Sequence, residues 1–506
     1  MLPPRHRRYW IPVLLATLAM SAFLLALALN NVAAGFPLDD GWIHQTYARN
    51  LALRGEFAFV PGKPSAGSTA PLWTLLLTPG YWLGLAPFIW TWTLGALTLI
   101  GTALAGAALA RELFPEKEIT PLLVAAILAT EWHIVWGAAS GMETSLFAAG
   151  VLALLTVNVR WGDHPPDAND AFWGGLGIGV LMLVRPEGIL IGGILGLAVI
   201  FHYWHWPWPA WQHLRPILTR GLWMLLGLGC VLLPYLLLNL HLSGTLFPNT
   251  FYAKQEEYRI IYSQPFGQRL FNVILPLLAG PLVLLLPAIP WALPNLREKP
   301  HTGLPLLWAV GTWVLYAWRL PVSYQHGRYL IPILPPLLTL GIGGVRRLWR
   351  RSPHGPGWIL TRAWAIAVLL ITLIFLGRGA EAFATDVTII NGEMVDVAQW
   401  VNTHTPRDAR IAAHDIGALG YFTQRELLDL AGLISPEVIP FIRDEAQLLT
   451  WMEAKDADYL VTFPSWYPDL VADPRMEKIY QTDTAITREL GRDNMAVYRC
   501  RWDMAE

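Results

Sequence analysis

From Trp10 to residue 378 the sequence is a succession of apolar runs broken by short polar stretches, and this pattern fixes the solvent before it fixes the fold. About 20 apolar residues in a row are enough to cross bilayer hydrocarbon as a helix. Such runs stand at roughly 10–29, 71–86, 88–110, 119–136, 143–158, 172–184, 188–203, 221–240, 270–290, 304–319, 328–345 and 361–378. In lipid each backbone amide must be satisfied within its own segment, so these runs predict helices. Charge follows the same division. Residues 1–378 carry 25 Lys+Arg and 15 Asp+Glu, whereas residues 379–506 carry 11 and 22. Only the second part reaches the roughly one-quarter charged content of soluble domains. The expected architecture is a multispanning α-helical membrane domain over 1–378 and an extracytoplasmic α/β domain over 379–506. An ordinary soluble enzyme, a disordered chain and a nucleic-acid binder are excluded by the same numbers.

Arg5, Arg7 and Arg8 precede the first run, which is too long for a signal-peptide core and is followed by a poor cleavage site at Asn30-Asn31-Val32. It reads as a first membrane helix with its basic end in the cytoplasm. The loop bearing Arg346, Arg347, Arg350, Arg351 and Arg362 is the strongest cytoplasmic marker. Counting from it gives about eleven crossings of the cell membrane and places the C-terminal domain outside. The run 71–86, interrupted by Pro79-Gly80, is expected to re-enter or lie at the interface rather than cross. Tryptophans near segment ends (Trp10, Trp204, Trp206, Trp208, Trp291, Trp318) suit interfacial anchoring. Cys230 and Cys500 are read as two unpaired thiols.

The first outer loop, residues 31–70, holds adjacent carboxylates, Asp39 and Asp40, ahead of an amphipathic helix predicted over 42–53. Trp42, Ile43, Tyr47, Leu51 and Leu53 are its apolar face. Two adjacent carboxylates at a membrane edge repel one another, which raises one pKa and suits a general base. The same pair is equally suited to capping the helix N-terminus.

The loop resembles the first extracytoplasmic loop of C-type glycosyltransferases, in the arabinofuranosyltransferase B branch and its bacterial relatives. Asp39, Asp40, Ile43, Tyr47, Ala48, Asn50, Leu51, Gly67, Thr69, Pro71, Leu72 and Trp73 carry the resemblance. It implies a polyprenyl-phosphate-sugar-dependent glycosyltransferase with Asp40, or second Asp39, as catalytic base. Thr46 stands where the pattern has Arg, and Ser68 where it has Tyr, so Arg49 and Lys63 become the local candidates for holding a donor phosphate.

Four more polar islands interrupt the apolar sequence. They carry Glu143; Arg185 and Glu187; Asn249 and Lys254; and His326, Arg328 and Tyr329. The arginine-based topology puts all four on the outer face, where ionisable residues beside membrane helices line a shared cavity. Individually each has a plainer role, as cap, ion pair, snorkelling lysine or headgroup contact. Glu131 and His133, two residues apart, do not share a helical face and lack metal-ligand spacing.

A sugar leaving a polyprenyl phosphate departs with the phosphate, so the site needs one base for the acceptor hydroxyl and cations for the phosphate. No metal ligand set and no cofactor is called for, although an Asp pair has the chemistry to take a divalent ion. No GxxxxGK[ST], HExxH or CxxC pattern is present. The expected partners are a polyprenyl-phosphate sugar, membrane lipid, and a cell-envelope glycan, lipid or protein acceptor. A lipid-linked sugar transporter or flippase and a non-catalytic envelope scaffold are the alternatives. Strands are predicted in the C-terminal domain at 410–413, 427–430, 459–463, 477–481 and 495–499, with helices over 393–404 and 445–455.

Overall fold

The computed structural model describes residues 10–115, 119–203, 211–294 and 296–504. Arg5, Arg7, Arg8, Trp204, Trp206 and Trp208 lie outside these residues. Among the described residues six helices are long and apolar enough to cross a membrane: Trp10–Leu29, Pro87–Leu113, Thr144–Asp163, Leu214–Ser243, Tyr324–Arg351 and Pro356–His404. Two bent pairs, Ile119–Thr130 with Trp132–Ala139 and Phe266–Leu278 with Leu282–Ala292, raise the count to eight if each is one span. The sequence count of about eleven exceeds this because it includes shorter apolar helices, such as Ala168–Val184 and Pro186–Ile200. The doubtful run after residue 70 forms Pro71–Trp82, only 12 residues, and turns directly into Pro87–Leu113.

Small residues let these helices meet closely. A Cβ on Gly175 would lie 1.9 Å from the Met224 carbonyl oxygen, and one on Gly227 would lie 2.0 Å from that of Phe172. Helices Ala168–Val184 and Trp211–Ser243 therefore touch backbone to backbone, as membrane helices do where glycines face each other.

The first outer loop folds into helix Asp39–Arg54, a short hairpin of β1 (Ala58–Val60) and β2 (Lys63–Pro64), and a return to Pro71. Asp39 and Asp40 occupy the first turn, where carboxylates favour the helix dipole. Gly55 ends the helix at φ 71°, its N–H donating to the Leu51 carbonyl. Of the predicted apolar face, Trp42, Ile43 and Tyr47 are buried against protein, Leu51 is half-buried and Leu53 is exposed.

The C-terminal domain is a five-stranded sheet of β3 (Arg410–Ala413), β4 (Glu426–Asp429), β5 (Tyr459–Thr462), β6 (Met476–Gln481) and β7 (Ala496–Cys500). Its order is β4-β3-β5-β7-β6, with β3 parallel to both β4 and β5, and β7 antiparallel to β5 and β6. Each strand lies within one residue of its predicted bounds. One face packs on the loop helix and on helix Asp396–His404, through Trp42, Tyr47, Val397, Val401, Ile411 and Val461. The other face packs on helix Glu445–Ala454 through Leu428, Leu448, Met452 and Leu460. Helix Pro356–Ile390 continues through a π turn at Asn391–Val395 into Asp396–His404, so residue 378 lies inside a continuous helix rather than at a linker. At the π turn the buried Glu393 carboxylate accepts from Thr482 Oγ1, from Asn494 Nδ2 at 2.8 Å and from Met495 N at 2.8 Å, fixing the helix to the sheet edge. Cys230 and Cys500 are both free.

Candidate functional site

Where the loop helix, the polar islands and the sheet domain meet lies a cavity of about 380 Å³. Asp40, Glu143, Arg185, Glu187, Lys254, Arg328 and Tyr329 line it, seven residues drawn from five separate sequence stretches. Phe247, Phe251, Ile189, Leu315 and Leu320 give it apolar walls.

Asp40 is at its centre of charge. Arg328 Nη2 donates to Asp40 Oδ2 at 2.5 Å and to the Tyr329 hydroxyl at 3.0 Å. Lys254 Nζ donates to the same Tyr329 hydroxyl at 2.9 Å and stands 4.0 Å from Asp40 Oδ2. Arg328 is buried, and its Nε and Nη1 have no partner among the described residues. Burial pushes the Asp40 carboxyl up, but Arg328 and then Lys254 outweigh it and hold Asp40 well below the usual carboxylate range.

Asp39 faces the other way. Its carboxylate accepts from the N–H groups of Gly417 at 2.6 Å and Ala418 at 2.8 Å, in the C-terminal domain. Burial and, next, the nearby Asp415 push it up to about 8, with Asp40 the least of the causes. The two carboxylates are pushed in opposite directions chiefly because they enter different surroundings, with their mutual repulsion the smallest contribution. A Cβ on Gly417 would be 2.1 Å from the Asp39 carbonyl oxygen, so this contact needs glycine.

A second polar group lines the same cavity. Arg185 Nε is 3.7 Å from Glu143 Oε1 and 3.6 Å from Glu187 Oε2. Tyr316 accepts from Arg185 Nη2 at 3.1 Å and donates to Glu187. His44 Nε2 stands 3.4 Å from Glu143 Oε2. Sequence reasoning missed His44, although its spacing of four from Asp40 puts both on one helix face. It also missed Tyr316, which sits in an apolar run with no signal to mark it.

Other candidates fall outside the cavity. Arg49 donates from Nη1 to the Tyr421 carbonyl at 2.5 Å and stacks over the Tyr421 ring, on the sheet-domain side of the loop helix. Lys63 pairs with Glu426 at 2.6 Å in an exposed position. Thr46 is fully buried and bonds back to the Trp42 carbonyl, which leaves no space there for an arginine. Asn249 sits beside the cavity and fastens its rim: Nδ2 donates to the Leu433 carbonyl at 3.3 Å and its N–H to the Ala66 carbonyl at 3.0 Å. His326 lies behind Arg328, with Nε2 2.8 Å from Asp386 Oδ2. Glu131 and His133 do meet, at 2.7 Å, because Glu131 breaks the helix and caps the next one by accepting from Ile134 N–H. The helical-face argument against that contact fails at the break.

The arginine cluster Arg346–Arg351 ends helix Leu334–Arg351, whose 18 residues span ~27 Å. That is close to one hydrocarbon thickness from the cavity end of the same segment.

A family described as a domain of unknown function, DUF8728, matches residues 385–498, the C-terminal domain. No curated relative matches the chain by sequence. Among solved structures, the chain is similar to ArnT from Cupriavidus metallidurans bound to undecaprenyl phosphate, at TM-score 0.60 and 15% identity over 96% of this chain and 97% of that one. It is also similar to the oligosaccharyltransferase AglB from Archaeoglobus fulgidus in complex with an inhibitory peptide and a dolichol-phosphate, at TM-score 0.57 and 11% identity over 98% and 75%. The fold is that of the C-type glycosyltransferases: a multispanning membrane domain followed by a C-terminal domain.

Proposed function

We propose that this chain, built on a fold it shares with ArnT and AglB, is an integral-membrane glycosyltransferase of the cell envelope. In this reading it moves a sugar from a polyprenyl-phosphate donor to a glycan, lipid or protein acceptor on the outer side of the cell membrane. One observation carries the reading: the carboxylate of Asp40 shares a part-apolar cavity with Arg328 and Lys254, and two buried nitrogens of Arg328 have no partner among the described residues. The isoprenoid phosphates held by the two similar structures support the donor class.

The chemistry balances without a further reactant. The acceptor oxygen forms a bond to the sugar anomeric carbon while the bond from that carbon to the phosphate oxygen breaks. The electron pair leaves with the phosphate, the acceptor proton passes to Asp40, and the products are the glycoside, of inverted configuration, and polyprenyl phosphate. Arg328 and Lys254 neutralise the leaving phosphate, so a divalent cation has no assigned part. As those cations turn toward the phosphate, Asp40 loses the charges that depress its pKa and becomes a better base. Arg185, with Glu143, Glu187 and Tyr316, forms the polar floor against which the sugar hydroxyls would seat.

The test is an Asp40→Asn chain in lipid nanodiscs. Transfer from an undecaprenyl-phosphate-linked sugar should fall by about 100-fold or more, the scale of general-base catalysis, while undecaprenyl phosphate still binds. Transfer at the wild-type rate would remove Asp40 from the mechanism.

A further inference from the structure

The sheet order places β4 and β5 on opposite sides of β3, with all three parallel. The chain leaves β3 into helix Gly417–Thr423 on one face, with Ala418 and Leu419 in the core beside the loop helix. It then passes from β4 to β5 through helix Glu445–Ala454 on the other face, with Leu448 and Met452 in the opposite core. Where successive connections diverge like this, a crevice opens at the carboxyl ends of the strands, and in open α/β sheets ligands bind there.

We propose that the crevice between the carboxyl ends of β3 and β5 is the acceptor subsite, and that it takes a neutral saccharide rather than a phosphorylated one. The proposal rests on the transferase reading and names the second substrate class of the same site. His414 and Asp415 directly follow β3, and Trp466 and Tyr467 follow β5. His414 Nδ1 is 2.8 Å from the Tyr467 hydroxyl, and its ring meets Trp466 edge-on at 4.9 Å. Trp466 remains 47% exposed, a flat apolar wall of the kind that accepts the C–H face of a sugar ring. Asp415 Oδ2 is buried, an acceptor with no donor among the described residues.

The residues at these strand ends adjoin the donor cavity. Glu257, whose Oε1 lies 3.5 Å from His414 Nε2, ends the helix Asn249–Glu257 three residues beyond Lys254. Asp39 reaches Gly417 and Ala418, two and three residues after Asp415, while its neighbour Asp40 lies in the cavity. An acceptor hydroxyl projecting from the crevice thus approaches Asp40.

Charge sorts the two substrates. Arg185, Lys254 and Arg328 serve the cavity, whereas Asp415, Asp429 and Glu257 gather on the crevice side with His414. A second phosphate on that side would face like charge, which is a rejection device. Neutral hydroxyls would find acceptors in the carboxylates and a hydroxyl partner in Tyr467.

The experiment uses the full chain in detergent, applied to immobilised neutral oligosaccharides and their phosphorylated counterparts. At least one neutral saccharide should be retained. Trp466→Ala and Asp415→Asn should each weaken retention at least tenfold with the thermal midpoint unchanged; Trp466 is exposed and Asp415→Asn preserves shape, so folding is spared. Undecaprenyl phosphate binding by the wild-type chain reads the donor assignment separately. A chain that binds the lipid but retains no neutral saccharide, prefers phosphorylated ones, or binds equally well in both variants overturns the crevice assignment alone. A chain that fails to bind the lipid overturns the transferase reading instead.

Discussion

Replacing Arg328 by glutamine removes the buried cation that organises the cavity while keeping a polar side chain of similar reach. Removing one partner from a fully buried pair costs about 3–5 kcal/mol. Asp40 keeps 30% of its side chain exposed and still has Lys254 at 4.0 Å, so the loss here should fall below that range, at about 2 kcal/mol. In a chain of this length that lowers the thermal midpoint by only a few degrees. Ligand affinity is the sharper readout. Losing the charge-assisted bonds that Arg328 offers a phosphate should cost about 1.5–3 kcal/mol, or roughly 10- to 100-fold in the Kd for undecaprenyl phosphate. The pH dependence has a definite sign. Asp40 is depressed in the folded chain, so its ion pair stabilises fully above the ordinary carboxylate pKa of about 4 and is lost as pH falls below it. Arg328 stays charged throughout, so the variant should show a shallower loss of midpoint between about pH 4 and pH 2 than the wild type. Tryptophan-fluorescence melts across that range, with lipid titrations in nanodiscs at neutral pH, read both effects. An Arg328→Gln chain with wild-type lipid affinity and an unchanged acid profile would refute the assignment of Arg328 to both Asp40 and phosphate.

Gly417→Ala should destabilise the chain by about 1–3 kcal/mol and loosen the loop helix from the sheet, because the added methyl collides with the Asp39 backbone; a thermal melt and protease resistance of the loop near Glu56 report the two effects. Lys63→Ala should change stability by less than about 1 kcal/mol and leave lipid binding unaltered, since Lys63 is exposed and neither it nor its partner Glu426 lines the cavity; a matched melt and titration check it.

The membrane architecture was legible because apolar length is a direct consequence of bilayer thickness, and the sheet because its strands are short β-branched and aliphatic runs bounded by turn residues. The cavity was legible only in part. Glu143, Arg185, Lys254 and Arg328 stand out because charge near lipid is costly and therefore local. The sorting of Asp39 from Asp40 was not legible, since it depends on Gly417, nearly four hundred residues away, approaching the loop helix. Arg49 and Lys63 looked like phosphate ligands because they flank the carboxylates in sequence. The loop helix turns Arg49 to the Tyr421 carbonyl instead, and the hairpin carries Lys63 to Glu426. Proximity along the chain was the wrong measure there, and helix periodicity, which links Asp40 with His44, was the better one.

The turn that presents Arg328 carries its own test. Gln325 and His326 have φ of 54° and 58°, and Gly327 has 70°, three left-handed residues in succession of which only the last is glycine. Each non-glycine residue there costs about 1–2 kcal/mol. His326 repays its strain in contacts: it bonds to Asp386 and lies edge-on to Trp132 and Trp136, both at 5.2 Å. Gln325 has no such return, for its Oε1 is buried without a partner. Gln325→Gly should therefore relieve the backbone and one orphaned acceptor together, stabilising the chain by about 1 kcal/mol where a new glycine ordinarily destabilises. The same freedom should blur the aim of Arg328, so that the variant melts higher yet binds undecaprenyl phosphate severalfold more weakly. A variant that melts lower would mean that the left-handed turn is held by contacts of Gln325 rather than imposed on it, and a variant that melts higher with full affinity would mean that the strain has no part in placing the arginine.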